Sequence, residues 1–411
     1  MDRRRPAHRD GNGAVGRSPA SPKFRWVDDA ADLEAVVEGA AASDAYALDT
    51  EFHRERTYFA QLALLQIAWD GEIALVDPLA VDIGPLRQVL VQEVPCLMHA
   101  ATQDLAILDR ACGVLPAQLV DTQIAAGFVG LGSPGLGALL QRRIGVHLPK
   151  ADRLTDWLRR PVGDDAASYA AADVAHLHQL WRSLQTELVE RGRLDWALDE
   201  CEEVRGRFGE PSDPDQAWWR IKEARRLKGR GRCVAQAVAA WRERRAQETD
   251  KPVRHVLPDL AVVAIAERPP STRDGLQQVR GLDGRHLRGG AAAELLLAIE
   301  AGLALDEDVL QVPERDGVDT TSRPAVTLAS AWVSQIARDL DLDTSLLATR
   351  ADIEGLVRDD GSSRLLSGWR DDVAGEPVRQ LLSGQASLAF NGDGSLILER
   401  RSHQPVARDV R

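Results

Sequence analysis

Asp49 and Glu51 stand two apart in Tyr46–Phe52, whose alternation reads as a strand, so both carboxylates leave one face of a sheet and could hold one cation between them. Tyr169 and Asp173 stand four apart in a stretch with helical periodicity, which puts a phenol and a carboxylate on one helix face, where both could address one water. Asp104 falls where a short strand, Cys96–His99, passes into a helix. Each piece also has an ordinary reading. A carboxylate in a first helical turn complements the helix N-terminus, and a buried tyrosine is a packed aromatic whose hydroxyl finds a partner. Asp121, before Thr122, reads as a structural N-cap. With 63 acidic residues in 411, roughly ten acidic i, i+2 pairs arise by chance, and three tyrosines give about 0.4 Tyr-x-x-x-acid matches. The weight lies in the order: Asp-x-Glu ending a first strand, Asp after a later strand, Tyr-x-x-x-Asp on a helix.

The elements that must position these residues follow from the apolar pattern. Strands are predicted at Tyr46–Phe52, Leu62–Trp69 and Ile73–Val76, the last two joined by the turn signal Asp70-Gly71, and the three form an antiparallel meander. A helix near Leu86–Val91, a strand at Cys96–His99, a helix over Thr102–Cys112 and a strand at Leu119–Asp121 follow, and one long helix is predicted from Asp165 to about Arg191. Strands followed by alternating strand and helix imply an α/β sheet domain covered by helices. Gly209–Pro214 reads as a linker, residues 215–303 as helices broken at Pro252, Pro258 and Pro269-Pro270, and Val326–Gly384 as a last helical segment.

In that order the motifs resemble the catalytic domain of ribonuclease D, within the DEDD exonucleases of ribonuclease H-like fold. Asp49 and Glu51 match the first motif, Asp104 the second, and Tyr169 with Asp173 the third, whose tyrosine marks the DEDDy subgroup. Thr57-Tyr58, Leu64–Ala68, Asp121–Gln123, Lys150, Asp156-Trp157 and Arg160-Pro161 stand at family-like spacings. The resemblance implies a 3′→5′ exoribonuclease that hydrolyses phosphodiesters with two divalent ions, Mg²⁺ or Mn²⁺. It implies Asp49, Glu51, Asp104 and Asp173 as ligands, Tyr169 orienting the attacking water, and nucleoside 5′-monophosphates as products. Hard carboxylate oxygens suit such ions better than zinc.

Residues 219–303 resemble an HRDC domain through Trp241–Glu243, Pro252, Val256-Leu257, Asp259, Ile265-Ala266, Pro269, Leu276 and Ile299; Val326–Gly384 resembles a second through Leu346–Arg350, Gly368–Arg370 and Leu381–Gly384. The expected layout is a disordered tail (1–22), an α/β ribonuclease H-like exonuclease domain with a mixed sheet flanked by helices (23–208), two all-α HRDC-type domains (215–303 and 324–390) and a polar tail (391–411). The family is commonly monomeric, its helical domains forming a funnel around the site, and acts on the 3′ ends of structured RNA such as transfer RNA precursors.

A net charge of −12 argues against bulk electrostatic coating of nucleic acid, but Trp218–Arg232 runs against it with Arg220, Lys222, Arg225, Arg226, Lys228, Arg230 and Arg232. Those cations, with Lys150, are candidate RNA contacts; a solvated helix face is the alternative. Hydrophobic residues at 44% and charged residues at 28% exclude a chain disordered throughout. No apolar run is long enough to span a bilayer and no signal-peptide core is evident, so a cytoplasmic protein without membrane contact is expected. Cys96, Cys112, Cys201 and Cys233 form no Cys-x-x-Cys pair and are expected reduced. No Gly-x-x-x-x-Gly-Lys-Ser/Thr loop provides a nucleoside triphosphate site. A DNA 3′→5′ exonuclease and a catalytically silent RNA-binding scaffold are the competing readings.

Overall fold

The computed structural model describes residues 22–148, 155–208, 213–310 and 318–402; Lys150 and nearly all of the expected N-terminal tail lie outside them. The apolar run β3 (Gln61–Trp69) takes a central place in a six-stranded sheet of order β1-β4-β3-β2-β5-β6. Its antiparallel partners are β2 (Tyr46–His53) and β4 (Glu72–Val76), the meander expected from the pattern. Asp70 (φ +42°) and Gly71 (φ +87°) make the turn between β3 and β4, where two left-handed residues match the twist of a hairpin. A strand without a counterpart in the sequence reading, β1 (Arg25–Val27), pairs parallel with β4; three residues are too few to show a period. On the other edge β5 (Pro95–Met98) runs parallel to β2, and β6 (Gln118–Asp121) parallel to β5.

The pleat divides the apolar residues between two cores. Tyr46, Leu48, Leu65 and Ile67 face one side with α1 (Ala30–Ala42), α2 (Arg87–Leu90) and α3 (Thr102–Cys112). Ala47, Leu64 and Ala68 face the other, with α4 (Thr122–Phe128), α5 (Leu136–Ile144), α6 (Asp164–Ala175) and α7 (Leu177–Glu190). The single helix expected over Asp165–Arg191 is thus two, meeting at His176 (φ −115°, ψ 0°). The reason is tertiary: α6 crosses β2, β3 and β4 while α7 lies on β2, β5 and α4, and a straight rod cannot follow both parts of a twisted sheet. α8 (Leu194–Gly206) closes this unit beside β6 and α4.

The next unit has its own core, in which α9 (Arg230–Glu248) packs on α11 (Asp259–Glu267) and α13 (Ala291–Ala304), with α10 (Val253–Val256) and α12 (Arg273–Gln277) between. Pro252 and Pro258 stand immediately before α10 and α11, at the predicted breaks. The last helices, α14 (Arg323–Asp339), α15 (Thr344–Leu347), α16 (Arg350–Arg358), α17 (Gly368–Arg370) and α18 (Glu376–Leu382), have no separate core among the described residues. Val326, Val333, Leu347, Trp369 and Val378 belong to the same cluster as Ala47, Val120 and Leu180 of the sheet unit. Trp369 stacks on Trp196 at 4.8 Å and meets Phe128 edge-on. Buried Arg370 pairs with buried Glu200 and, at 3.1 Å, with Glu203 of α8. At Gly130 (φ +80°) the backbone takes a conformation that favours glycine, and the Asp341 carboxylate lies against it.

The segment expected as all-α and then a polar tail from 391 instead carries a hairpin, β7 (Ala386–Phe390) with β8 (Leu396–Arg400). Asn391 Oδ1 accepts from the Asp393 and Ser395 amides at 3.1 Å, Gly392 and Gly394 take φ +87° and +107°, and the Leu396 amide donates to Gln335 Oε1 of α14 at 2.9 Å. The turn thus satisfies its own polar backbone and docks the strand.

Candidate metal centre

β2 brings Asp49 and Glu51 to the face covered by α6, which supplies Asp173 four residues after Tyr169. Carboxylate oxygens of Asp49, Glu51 and Asp173 lie within 4.8 Å of one another. Just past them the β2–β3 register shifts: Glu51 pairs with Leu64 but Phe52 with Leu62, so Ala63 is the extra residue of a bulge, which bends the strand end. Arg160 holds that bulge, its Nη2 donating to the Ala63 carbonyl at 2.6 Å while Nε and Nη2 donate to Asp77 at 2.6 and 2.7 Å.

Asp104, in the first turn of α3, is buried and stands beside this trio, not within it: it accepts a short hydrogen bond from the Thr50 hydroxyl. Thr50 lies between Asp49 and Glu51, so one strand fixes three carboxylates. Asp121 caps α4, accepting from the Gln123 amide at 2.8 Å, and also takes the Ala100 and Ala101 amides at 3.0 and 2.8 Å. It thereby holds the bend at Ala100 (φ +58°) from which α3 starts with Asp104, a structural role as the sequence suggested.

Crowding and burial work against four negative charges here. Burial raises Asp49 well above the carboxylate range, with Asp104, Asp173 and Glu51 adding repulsion. Burial, then Asp173 and Asp104, pushes Glu51 up to about 8. Burial lifts Asp173 to about 7, opposed by a hydrogen bond from Tyr169, and Asp104 to about 6, opposed by that from Thr50. Tyr169 is pushed above an ordinary phenol by burial and by Asp173 and Glu51. Among the described residues no cation contributes to any of these carboxylate shifts. Carboxylates set this close without a basic partner fit a hard divalent cation, whose charge and oxygen preference relieve both burial and repulsion.

The basic stretch is not the helical surface expected. It consists of short 3₁₀ turns, Pro214–Arg220 and Ala224–Arg226, that lead into α9, because Trp218, Ile221 and Ala224 turn inward to the second core. Arg220 pairs with Glu243 at 3.2 Å, Arg225 donates to the Trp219 carbonyl at 2.5 Å and lies over its ring, and Arg230 and Arg232 donate to the Leu303 and Leu227 carbonyls at 2.8 and 2.6 Å. Lys222, Arg226 and Lys228 are exposed. This unit reaches the carboxylate unit through the loop after β2. Tyr58 Oη donates to Glu243 Oε1 at 2.7 Å and accepts from Gln247 Nε2 at 3.0 Å, and the Phe59 amide donates to Asp250 Oδ1 at 3.0 Å. Nothing in the spacing of Tyr58 announced this bridge.

A family model described as 3′-5′ exonuclease matches residues 24–189, and one for the HRDC domain matches residues 232–299. Ribonuclease D of Gluconacetobacter diazotrophicus is 34% identical over 370 residues, covering 88% of this chain and 93% of the relative. That of Cronobacter turicensis is 35% identical over 362 residues, covering 85% and 97%. The crystal structure of Escherichia coli ribonuclease D, described as an exoribonuclease involved in structured RNA processing, superposes with a TM-score of 0.79 at 32% identity, covering 88% of this chain and 99% of that one.

Proposed function

The chain belongs to the ribonuclease D family and is a metal-dependent 3′→5′ exoribonuclease, and from that premise we propose that Asp49, Glu51, Asp104 and Asp173 hold two divalent ions, Mg²⁺ or Mn²⁺, at the scissile phosphate. The observation that carries the reading is the trio of carboxylates from β2 and α6, all raised and none paired with a cation among the described residues. Bound divalent ions would supply Lewis-acid activation of water and neutralise the phosphate and the departing 3′ oxygen. The protein's share is positional. The β2–β3 ladder fixes the backbone from which Asp49 and Glu51 project, Thr50 holds the Asp104 carboxylate and Tyr169 holds that of Asp173, so the ligands are brought together before any ion binds. Tyr169, held protonated by its surroundings, orients the attacking water as a hydrogen-bonding group and does not serve as a base.

Structured RNA with an unpaired 3′ end, transfer RNA precursors above all, is the proposed substrate, in keeping with the description of the Escherichia coli relative. Lys222, Arg226 and Lys228, with Lys150, are proposed to position its backbone, which phosphate contacts do without reading sequence. Residues 324–390 are proposed as a second HRDC-type unit, and the working form as a cytoplasmic monomer, which sedimentation of the purified chain tests.

The deciding experiment incubates the protein with a 5′-labelled RNA bearing an unpaired 3′ tail, with a matched DNA alongside, in Mg²⁺ or Mn²⁺ and then EDTA, next to Asp49→Asn. A metal-dependent ladder shortening from the 3′ end of RNA, absent in the variant, is expected. Undiminished shortening by Asp49→Asn would refute the site, and preference for the DNA would refute the substrate.

A further inference from the structure

Gln66 stands at the middle of β3, directly across the ladder from Asp49 on one side and Leu75 on the other. Residues facing each other across an antiparallel pair share a sheet face, with Cβ atoms about 4.5–5.5 Å apart. Gln66 therefore lies beneath α6 on the face that carries Asp49 and Glu51. Its other neighbours there are apolar: Leu64 and Ala68 along β3, Ala47 on β2, Leu75 on β4, all in the core cluster that includes Ala170 and Val174 of α6. The side chain is 0% exposed, and among the described residues neither Nε2 nor Oε1 has a hydrogen-bond partner.

An amide buried without partners costs about 1–3 kcal/mol, and an apolar side chain of the same length would avoid that cost. A partner that the amide gains when the site is loaded would offset that cost. The group directly opposite is Asp49. We infer that Gln66 is a positioning residue for Asp49: when cations draw the carboxylates together, its amide N–H donates to the Asp49 oxygen turned away from the metal.

The chemistry suits the task. A neutral donor fixes the rotamer of an ionised carboxylate without competing for the cation, as a lysine or arginine would. The amide carbonyl on the other end can accept a hydrogen bond from a water or backbone N–H of the loaded site. Hydrogen bonds of this kind to metal-ligating groups are worth about 10- to 100-fold in metal affinity or activity. The inference rests on the metal-centre reading above, so the test includes a control for that reading.

The full chain and its Gln66→Met variant are titrated with Mn²⁺ alone, followed by electron paramagnetic resonance of the free ion; melting is recorded in EDTA, and kcat and KM are measured on tailed RNA. Asp49→Asn serves as the control. The expected result is an unchanged or higher melting temperature for metal-free Gln66→Met, Mn²⁺ affinity lower by about 10-fold or more, and a fall in kcat with KM for RNA little changed. Wild-type Mn²⁺ affinity and kcat in the variant would overturn the inference while leaving the metal centre standing. A metal-free variant that melts well below wild type would overturn it too, by making the amide a structural group. Failure of the wild type itself to bind Mn²⁺ would overturn both readings. Should the methionine prevent folding, Gln66→Leu, which copies the neighbouring Leu64 and Leu75, carries the same three measurements.

Discussion

Replacing Glu51 by glutamine should stabilise the metal-free protein while destroying its activity. Burial with Asp173 and Asp104 raises the Glu51 carboxyl from 4.5 to about 8. An acid raised in the folded state ionises first in the unfolded chain, so it costs nothing at pH below the unfolded value; the cost grows as pH rises from there to about 8 and is constant beyond. At about 1.4 kcal/mol per unit, the full displacement corresponds to on the order of 5 kcal/mol. Glu51 is only partly buried, and solvent screening reduces this to on the order of 2 kcal/mol. An amide of the same shape removes the repelled charge. For a domain of this size each kcal/mol shifts melting by about 2–4 °C, so Glu51→Gln should melt roughly 4–8 °C above wild type at pH 8.5 in EDTA. At pH 4.5 the two should coincide. Added Mg²⁺ should then stabilise the wild type and not the variant, reversing the order at pH 8.5. Scanning calorimetry at both pH values, with and without metal, reads all four states. Equal melting at pH 8.5 without metal, or a gap that persists at pH 4.5, would refute the electrostatic account of the site.

Tyr169→Phe should lower the single-turnover cleavage rate of tailed RNA by about 100-fold, through the water the phenol is assigned to orient, and weaken Mn²⁺ affinity by no more than about 10-fold, through the lost hydrogen bond to Asp173. Arg370→Ala leaves buried Glu200 with Arg364 alone, at 3.4 Å, and should cost about 1.5–3 kcal/mol in urea unfolding; a loss below about 1 kcal/mol would mean the pair is not buried in solution. Changing Lys222, Arg226 and Lys228 together to alanine should flatten the dependence of log affinity on log salt by about 2, measured by filter binding to single-stranded RNA in EDTA, with no change in Mn²⁺ affinity.

Much of the site was legible because it is local. Period-two alternation puts Asp49 and Glu51 on one face, and a four-residue step puts Tyr169 with Asp173, whatever the rest of the fold does. Asp104 was legible by its place after a strand, but its tie to Thr50 was not: a threonine inside Asp-x-Glu reads as a spacer until a helix from another part of the chain meets it. The break at His176 escaped for a related reason, since residues 165–191 keep a helical pattern throughout and only the twist of the sheet beneath divides them. The hairpin at 386–400 carried its signal, Asn391-Gly392 between alternating apolar residues, inside a stretch whose polarity suggested a tail. Helical periodicity over 326–384 revealed a buried face without revealing its partner, which the structure places in the cluster shared with the sheet unit.

That shared core has a consequence for how the protein is made. Phe128 and Trp196 leave the ribosome well before Trp369, yet the three rings pack together, and the cluster that supports the floor of the site under α6 is completed by Val326–Val378. Contacts so far apart in sequence form late and slowly, and the apolar face awaiting them stays exposed in the meantime. The core of the nuclease unit is begun before α14–α18 are synthesised and is finished only after them. A nascent chain stalled at residue 310 should expose that face to chaperones and proteases, so competence to degrade RNA arrives only with nearly complete synthesis; limited proteolysis of ribosome-bound chains of increasing length would read the transition directly.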